Sequence, residues 1–329
     1  MDFLEQPKTV FIEICTECNS KCKYCHMWMT KQIEGGLTTD EKIRIIQEFH
    51  FLNPKGEVVL TGGETMMKYD EFFCLSKKCK ELNMICSANT NATYLNENNI
   101  ENILIDGPKY LVISLDSNIE RIHDYTRGVK GCYKHVISTI KRLISLKNEI
   151  NSSTQIMTNS VLFNENIFLV EDYLAFAEDL GLDGIIFQML SRTFYNNWVK
   201  DYFFDNHFFK DKQRSICQIQ KVIDLLDRHP IIKTSKQDFE WMMQYIKNPD
   251  FIGEQVCNSH EKNLMINSYG EVQLCFNMKS INNGHGLGNI RDFHNNISEV
   301  WLSNDAKSIR RIMEDCRLNC GMLNCHRRN

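Results

Sequence analysis

Apolar positions in the first 190 residues fall into short β-branched runs separated by longer amphipathic stretches. The runs are TVFIEI (9–14), EVVL (57–60), MICSA (84–88), YLVISL (110–115), STQIMTNS (153–160) and GIIFQM (184–189). Between them, apolar residues recur at spacings of three and four. In TDEKIRIIQEF (39–49), Thr39 is the expected cap, and Ile43, Ile46 and Phe49 share a face. DEFFCLSKKCKEL (70–82), KHVISTIKRLISL (134–146) and IFLVEDYLAFAEDLG (167–181) have the same helical period. Runs of the first kind read as strands and stretches of the second as helices. Six alternations predict an α/β fold with a parallel sheet, either open or curved into a partial barrel.

The pattern changes after Met189. Residues 190–209 are aromatic-rich and lack a clean period, a helix is expected in 211–228, DFEWMMQYI (238–246) follows, and the junction over 190–255 is expected to be packed and partly helical. From Cys257 onward, short strands and turns with clustered cysteines read as a small second domain. The expected division is therefore 1–190, 191–255 and 256–329.

Composition narrows the classes. The chain has 329 residues, 43% hydrophobic and 24% charged, which suits a sizeable globular core. A formal net charge of −4 without a long basic run argues against a nucleic-acid or membrane-surface role. The N-terminal residues show no signal-peptide pattern, and no apolar run approaches a membrane span, so a soluble cytoplasmic protein is expected. Fourteen cysteines in such a chain point to metal binding or catalysis before a disulfide framework. The scattered Cys74, Cys79, Cys86, Cys132 and Cys217 read as small buried hydrophobes.

The densest cysteine stretch is CTECNSKCKYC (15–25), directly after the first strand. Cys18-x3-Cys22-x2-Cys25 offers three thiolates on a tight loop, enough for three corners of a cubane cluster. Cys15 reads as strand-end core, yet Cys15 or His26 would also complete a four-ligand zinc site. On these residues alone both metals remain open.

The motif with its flanks, CNSKCKYC, resembles the signature of the radical S-adenosylmethionine (radical SAM) superfamily. Other segments are similar in order. TGGET (61–65) resembles the family's Gly-Gly-Glu-Pro motif, with Thr65 at the proline. ANTNATYL (88–95) resembles its Thr-Asn-Gly stretch, with Ala92 at the glycine. ISLDS (113–117) resembles the family's Ser-x-Asp end of strand four, HDYTRGVKGCYKHV (123–136) its His-Asp-x-x-Arg-Gly stretch before helix four, and IIFQML (185–190) its sixth strand. The resemblance implies a partial (β/α)6 TIM-type barrel. Cys18, Cys22 and Cys25 would hold a 4Fe–4S cluster, and Gly62, Gly63, Glu64, Asn91, Ser114, Asp116, Arg127 and Gln188 would line the S-adenosylmethionine cavity. Reductive cleavage of that cofactor gives a 5′-deoxyadenosyl radical, and a flavodoxin- or ferredoxin-type donor would supply the electron.

The tail reads Cys257-x12-Gly270-x4-Cys275, then Cys316-x3-Cys320-x4-Cys325. It resembles the α+β auxiliary-cluster extension called SPASM, or its shorter twitch form. Five cysteines imply one auxiliary 4Fe–4S cluster, with Cys257, Cys275, Cys316 and Cys320 as expected ligands. Cys325 is then the spare thiol and a candidate hydrogen donor. The implied substrate is a peptide natural-product precursor, with residues 194–209 as a specificity element. Dehydrogenation or epimerisation of a sugar, aminoglycoside or similar metabolite is the alternative. A non-catalytic iron–sulfur carrier and a zinc-binding interaction module are the rivals from other classes.

Overall fold

The computed structural model describes residues 6–30, 33–192, 202–249, 257–278 and 286–316. Six strands appear where the apolar runs predict them: β1 (Thr9–Glu13), β2 (Glu57–Thr61), β3 (Ile85–Thr90), β4 (Tyr110–Ser114), β5 (Gln155–Leu162) and β6 (Gly184–Met189). All pair in parallel with their sequence neighbours. A parallel sheet of this kind is covered by its crossover helices, and so β2 and β4 bury three consecutive residues each.

The crossovers are α1 (Thr39–Leu52), α2 (Tyr69–Glu81), α3 (Glu97–Asp106), the pair α4 (Glu120–Arg127) and α5 (Cys132–Glu149), and α6 (Val170–Leu180). The cap of α1 is Thr38, not Thr39. Glu41 stands at the third helical position from Thr38, and their side chains and backbones bond reciprocally in a capping box. That register buries Ile45 with Ile46 and Phe49 and leaves Ile43 half-buried.

Beyond the barrel come α7 (Tyr202–His207), α8 (Lys212–Leu225), α9 (Lys236–Lys247) and α10 (Ser259–Lys262). The C-terminal strand β7 (Asn263–Ile266) then pairs in parallel with β1, from Thr9↔Asn263 to Ile12↔Ile266, and β8 (Val272–Gln273) returns antiparallel to β7. The sheet is thus continuous in the order β6-β5-β4-β3-β2-β1-β7-β8. Helices α11 (Ile297–Leu302) and α12 (Asn304–Glu314) follow, and their Trp301 and Met313 join the same apolar core as β1.

Cys79, Cys86 and Cys132 are buried as expected, but Cys74 and Cys217 are exposed. Each lies off the buried stripe of its helix, Phe72-Leu75-Ser76-Cys79 on α2 and Ser215-Gln218-Ile219-Val222 on α8. Among the described residues, no helix is long and apolar enough to cross a membrane.

Candidate active site

The cysteine loop leaves the carboxyl end of β1 and is suspended from three neighbours. The turn after β2 donates Gly63 N–H to Cys15 O at 2.8 Å and Glu64 N–H to Glu17 O at 2.7 Å. This approach requires glycine: Gly62 has φ +138°, and a Cβ on Gly63 would lie 2.0 Å from Glu17 O. From the end of β3, Asn91 Nδ2 donates to Asn19 Oδ1 at 2.8 Å and Ser20 Oγ at 3.0 Å. From α4, the carbonyls of Arg127 and Thr126 accept Lys21 N–H at 3.0 Å and Lys23 N–H at 2.8 Å. The carboxyl ends of the strands are where α/β barrels carry their sites.

Glu64 is buried inside this scaffold. Its carboxylate accepts Thr90 Oγ1 at 2.5 Å, Asn91 N–H at 2.6 Å and Met66 N–H at 3.1 Å. Burial raises its pKa despite those donors. Three of a carboxylate's roughly four acceptor positions are filled by groups of the turn and of the end of β3, so the residue joins β2 to β3. The two departures from the family's pattern preserve the backbone path. Thr65 Oγ1 donates to Asn89 O at 2.8 Å, and Ala92 takes the left-handed conformation, φ +61°, that a glycine adopts freely.

Asp116 is a second buried hub. It accepts Tyr24 Oη at 2.9 and 3.0 Å, Thr126 Oγ1 at 2.8 Å, Val161 N–H at 3.2 Å and Arg127 Nη2 at 2.8 Å. Burial alone raises an aspartate's pKa, but the Arg127 guanidinium and the other donors outweigh it and hold Asp116 below its ordinary value. Arg127 Nη1 also lies 3.9 Å from Cys22 Sγ. Ser114 and Gln188 stand half-buried at the ends of β4 and β6, opposite Asn159 and Val161. Tyr24, Asn19, Ser20 and Thr90 were not singled out from sequence. Their only signal was adjacency to the motifs, because their roles depend on partners 71 to 92 residues away for all but Thr90, whose partner is 26 away.

These residues fit an iron–sulfur cluster and a polar cofactor. Burial pushes the thiol pKa of Cys18 up to about 12 and that of Cys25 to about 11, and raises that of Cys22, so a bound cation is what favours their thiolates. Backbone amides are already aimed at two of the sulfurs, Ser20 at Cys18 and Met27 at Cys25. The Cys15 thiol instead donates to Glu17 O and Glu64 O, at 3.7 and 3.5 Å, as strand-end packing. Among the described residues, no three His, Cys, Asp or Glu side chains converge on one point as a mononuclear ion demands. In a cubane, each thiolate meets a different corner. Arg127 Nε and Asn159 Oδ1 are buried without a hydrogen-bond partner among the described residues, so both retain hydrogen-bonding capacity beside the cysteine loop's frame.

The tail repeats the sulfur pattern. Ser259 N–H donates to Cys257 Sγ at 3.4 Å and Asn277 N–H to Cys275 Sγ at 3.1 Å. Ser259 Oγ bonds Leu274 O at 2.7 Å, which sets the two cysteine turns side by side. Arg310 Nε donates to His260 O at 3.1 Å and fastens α12, the helix leading to Cys316, onto α10. Cys320 and Cys325 lie outside the described residues, as do residues 194–201 of the expected specificity element.

Comparison with known proteins agrees with this geometry. The family model of the radical SAM superfamily matches residues 12–177, and that of the SPASM iron–sulfur cluster-binding domain matches residues 257–325. The antilisterial bacteriocin subtilosin biosynthesis protein AlbA of Bacillus subtilis is 25% identical over 305 residues, 90% of this chain and 60% of AlbA. An AdoMet-dependent heme synthase of Oleidesulfovibrio alaskensis is 27% identical over 171 residues, 51% of this chain and 42% of that protein. The chain thus spans less than two thirds of the length of these relatives. Streptococcus suis SuiB bound to S-adenosylmethionine has the same fold, with a TM-score of 0.72 and 17% identity over 94% of this chain and 68% of SuiB. The chain belongs to the radical SAM superfamily, with S-adenosylmethionine and 4Fe–4S clusters as its cofactors and a SPASM iron–sulfur domain at its C-terminal end.

Proposed function

We propose that the chain modifies a peptide precursor of a natural product. The observation that carries this reading is the match to a bacteriocin biosynthesis protein over 90% of this chain, from the barrel into the tail. A solved structure of SuiB with its precursor peptide SuiA shares the fold at a TM-score of 0.71. Bound at the first cluster, S-adenosylmethionine supplies a radical able to take hydrogen from an unactivated carbon.

The protein's part is placement. Cys18, Cys22 and Cys25 hold the cluster, and Gly62 and Gly63 let the backbone close on the loop. Glu64 and Asn91 keep that loop in register with β3. Arg127 is assigned to the cofactor carboxylate through its unpartnered Nε, while Ser114 and Gln188 line the cavity. Asp116 fixes Arg127 and Tyr24 and thereby shields the loop from solvent. Cys257, Cys275, Cys316 and Cys320 are assigned to an auxiliary cluster whose potential is tuned by the amides on Cys257 and Cys275.

The test uses anaerobically reconstituted protein, S-adenosylmethionine, dithionite and a deuterated candidate precursor peptide. The expected result is deuterium in 5′-deoxyadenosine and a peptide lighter by the hydrogens removed. 5′-Deoxyadenosine that is indifferent to peptides but stimulated by an amino sugar would overturn the peptide reading and favour the small-metabolite alternative.

A further inference from the structure

The mouth of the barrel carries a hydrogen-bonded chain that the cluster loop does not use. Glu165 follows β5, His207 ends α7 and Tyr125 lies in the last turn of α4. Glu165 Oε1 lies 2.7 Å from His207 Nδ1, and His207 Nε2 lies 3.2 Å from Tyr125 Oη. A carboxylate only accepts, so Nδ1 carries the ring proton. Nε2 of the neutral ring is then an acceptor, and the phenol donates to it. The order is carboxylate, imidazole, hydroxyl. In that order an imidazole can take a hydroxyl's proton, and the carboxylate stabilises the cation that results.

The chain is held in place from several sides. Asn164 N–H donates to His207 O at 2.9 Å, and Asn166 Nδ2 donates to Asp116 O at 2.8 Å, so Glu165 stands between two fixed neighbours. The imidazole stacks on Phe203 with ring centroids 4.3 Å apart. Phe203 in turn meets Tyr24 of the cysteine loop at 5.9 Å and Tyr125 at 6.3 Å between centroids. The relay therefore shares an aromatic wall with the cluster loop. Tyr125 is 50% exposed, and its oxygen has no hydrogen-bond partner besides His207 among the described residues. An ion pair as exposed as Glu165 with His207 adds little stability. A phenol with a base behind it and open space before it is placed to take a proton from a bound molecule.

We propose that Tyr125 is a catalytic residue that accepts the proton a bound peptide gives up when its radical is oxidised, with His207 and Glu165 as the positioning residues behind it. The proposal rests on the peptide reading above. Abstraction of a hydrogen atom leaves a carbon radical on the peptide. To close the shell, an N–H, O–H or S–H bond of the peptide breaks and the heteroatom bonds to that carbon. One electron passes to an oxidised 4Fe–4S cluster. The proton goes to Tyr125 Oη as the phenol's own proton passes to His207 Nε2, and the imidazolium is paired with Glu165. The peptide thereby loses its second hydrogen as a proton and an electron.

The test has two arms on reconstituted protein, and the first needs no peptide. Benzenesulfonyl fluoride sulfonylates a phenol that has a proton acceptor behind it: the oxygen–sulfur bond forms, fluoride leaves and the proton goes to the imidazole. Mass spectrometry identifies the labelled tyrosines. Tyr125 should label ahead of Tyr202, which is 81% exposed. His207→Gln should slow labelling of Tyr125 about 100-fold. Labelling that follows exposure alone, equal in wild type and His207→Gln, overturns the proposal.

The second arm uses the precursor peptide that passes the deuterium-transfer test and measures modified peptide per 5′-deoxyadenosine formed. Hydrogen abstraction precedes the proton step, so this ratio should fall about 100-fold in Tyr125→Phe, and Glu165→Gln should lower it as well. Iron content and peptide affinity without reductant are measured on the same samples. Should Tyr125→Phe lose iron, His207→Gln makes the same comparison. A ratio equal to that of the wild type overturns the proposal. So does a loss of product matched by an equal loss of peptide affinity. Failure of the wild type to modify any candidate peptide would instead strike the peptide reading, and the labelling arm then decides the relay.

Discussion

The two cysteine clusters are built on different supports. The loop at Cys18, Cys22 and Cys25 is hydrogen-bonded to the ends of β2 and β3 and to α4, so the barrel sets its shape. Cys257 and Cys275 sit beside a four-residue helix and a two-residue strand, and Cys316 lies just past α12. Elements this short gain little from their own packing and depend on what joins them. A metal bound by a preformed loop adds chemistry. A metal bound by short segments adds folding free energy as well.

The largest expected effect separates these two cases. Replacing Cys18, Cys22 and Cys25 together by Ala should abolish 5′-deoxyadenosine formation and remove the iron of one cluster, with only a small shift in thermal midpoint. Replacing Cys257 and Cys275 by Ala should lower the midpoint and expose the tail to proteolysis. Iron analysis, calorimetry and limited proteolysis on both variants check this. Equal thermal shifts would erase the contrast between preformed and metal-dependent sites.

Next in size is Asp116→Ala. It would strand the Arg127 guanidinium, and breaking a buried pair in this way costs about 3–5 kcal/mol. Tyr24 would lose its acceptor in the same step. Denaturant unfolding measures the loss. A cost near zero would show that the loop's frame does not depend on this hub. The pH dependence has a definite sign. The folded pKa of Asp116 lies below its unfolded value, so the pair's contribution is fully present above about pH 4 and is lost as pH falls through the lower folded value.

Much of this architecture was legible from sequence because the period of apolar residues carries it. The six barrel strands fall within two residues of their expected limits, and β6 coincides with GIIFQM. The cysteine spacings and the Gly-Gly-Glu turn were equally readable, since each is a local pattern. What escaped was non-local. Nothing in NLMI (263–266) says that it adds to the sheet beside β1, 254 residues away by register. Nothing in CKYC says that its tyrosine reaches Asp116. Glu64 shows the intermediate case: its motif marked it, but its three bonding partners come from its own turn and from β3, and only the fold displays them.

Those three bonds define a smaller prediction. Glu64→Gln replaces one acceptor oxygen with an amide that cannot accept Thr90 or Asn91, leaving a buried donor unpaired at a cost of about 1–3 kcal/mol. Stability without S-adenosylmethionine should fall by that amount, and cofactor affinity should fall with it because Asn91 holds the cysteine loop. Unchanged stability with weakened cofactor binding would mean that Glu64 serves the ligand alone, and the loop's support would then rest on Gly63 and α4.

The smallest effect lies where the two regions meet. Arg291, in the tail, donates to both oxygens of Glu41 at 2.5 and 2.8 Å and to the carbonyls of Gly35 and Gly36 at 2.8 and 2.9 Å. It clamps the segment after the cysteine loop to the N-terminus of α1. The bonds from Arg291 lower the Glu41 pKa from an ordinary 4.5 to about 2. A depressed folded pKa places the clamp's contribution above about pH 4.5 and removes it as pH falls toward 2. Glu41 is 23% exposed and Arg291 38%, so solvent screens the pair and its worth is about 0.5–1 kcal/mol. Glu41→Gln should therefore shift the thermal midpoint only slightly at pH 7, and the shift should vanish at high salt and at low pH. If the clamp links the regions rather than merely decorating α1, Glu41→Gln and Cys257→Ala should be non-additive in stability, and a double-mutant cycle measures that coupling. A coupling energy of zero would leave the β1–β7 pairing as the support that carries the tail on the barrel.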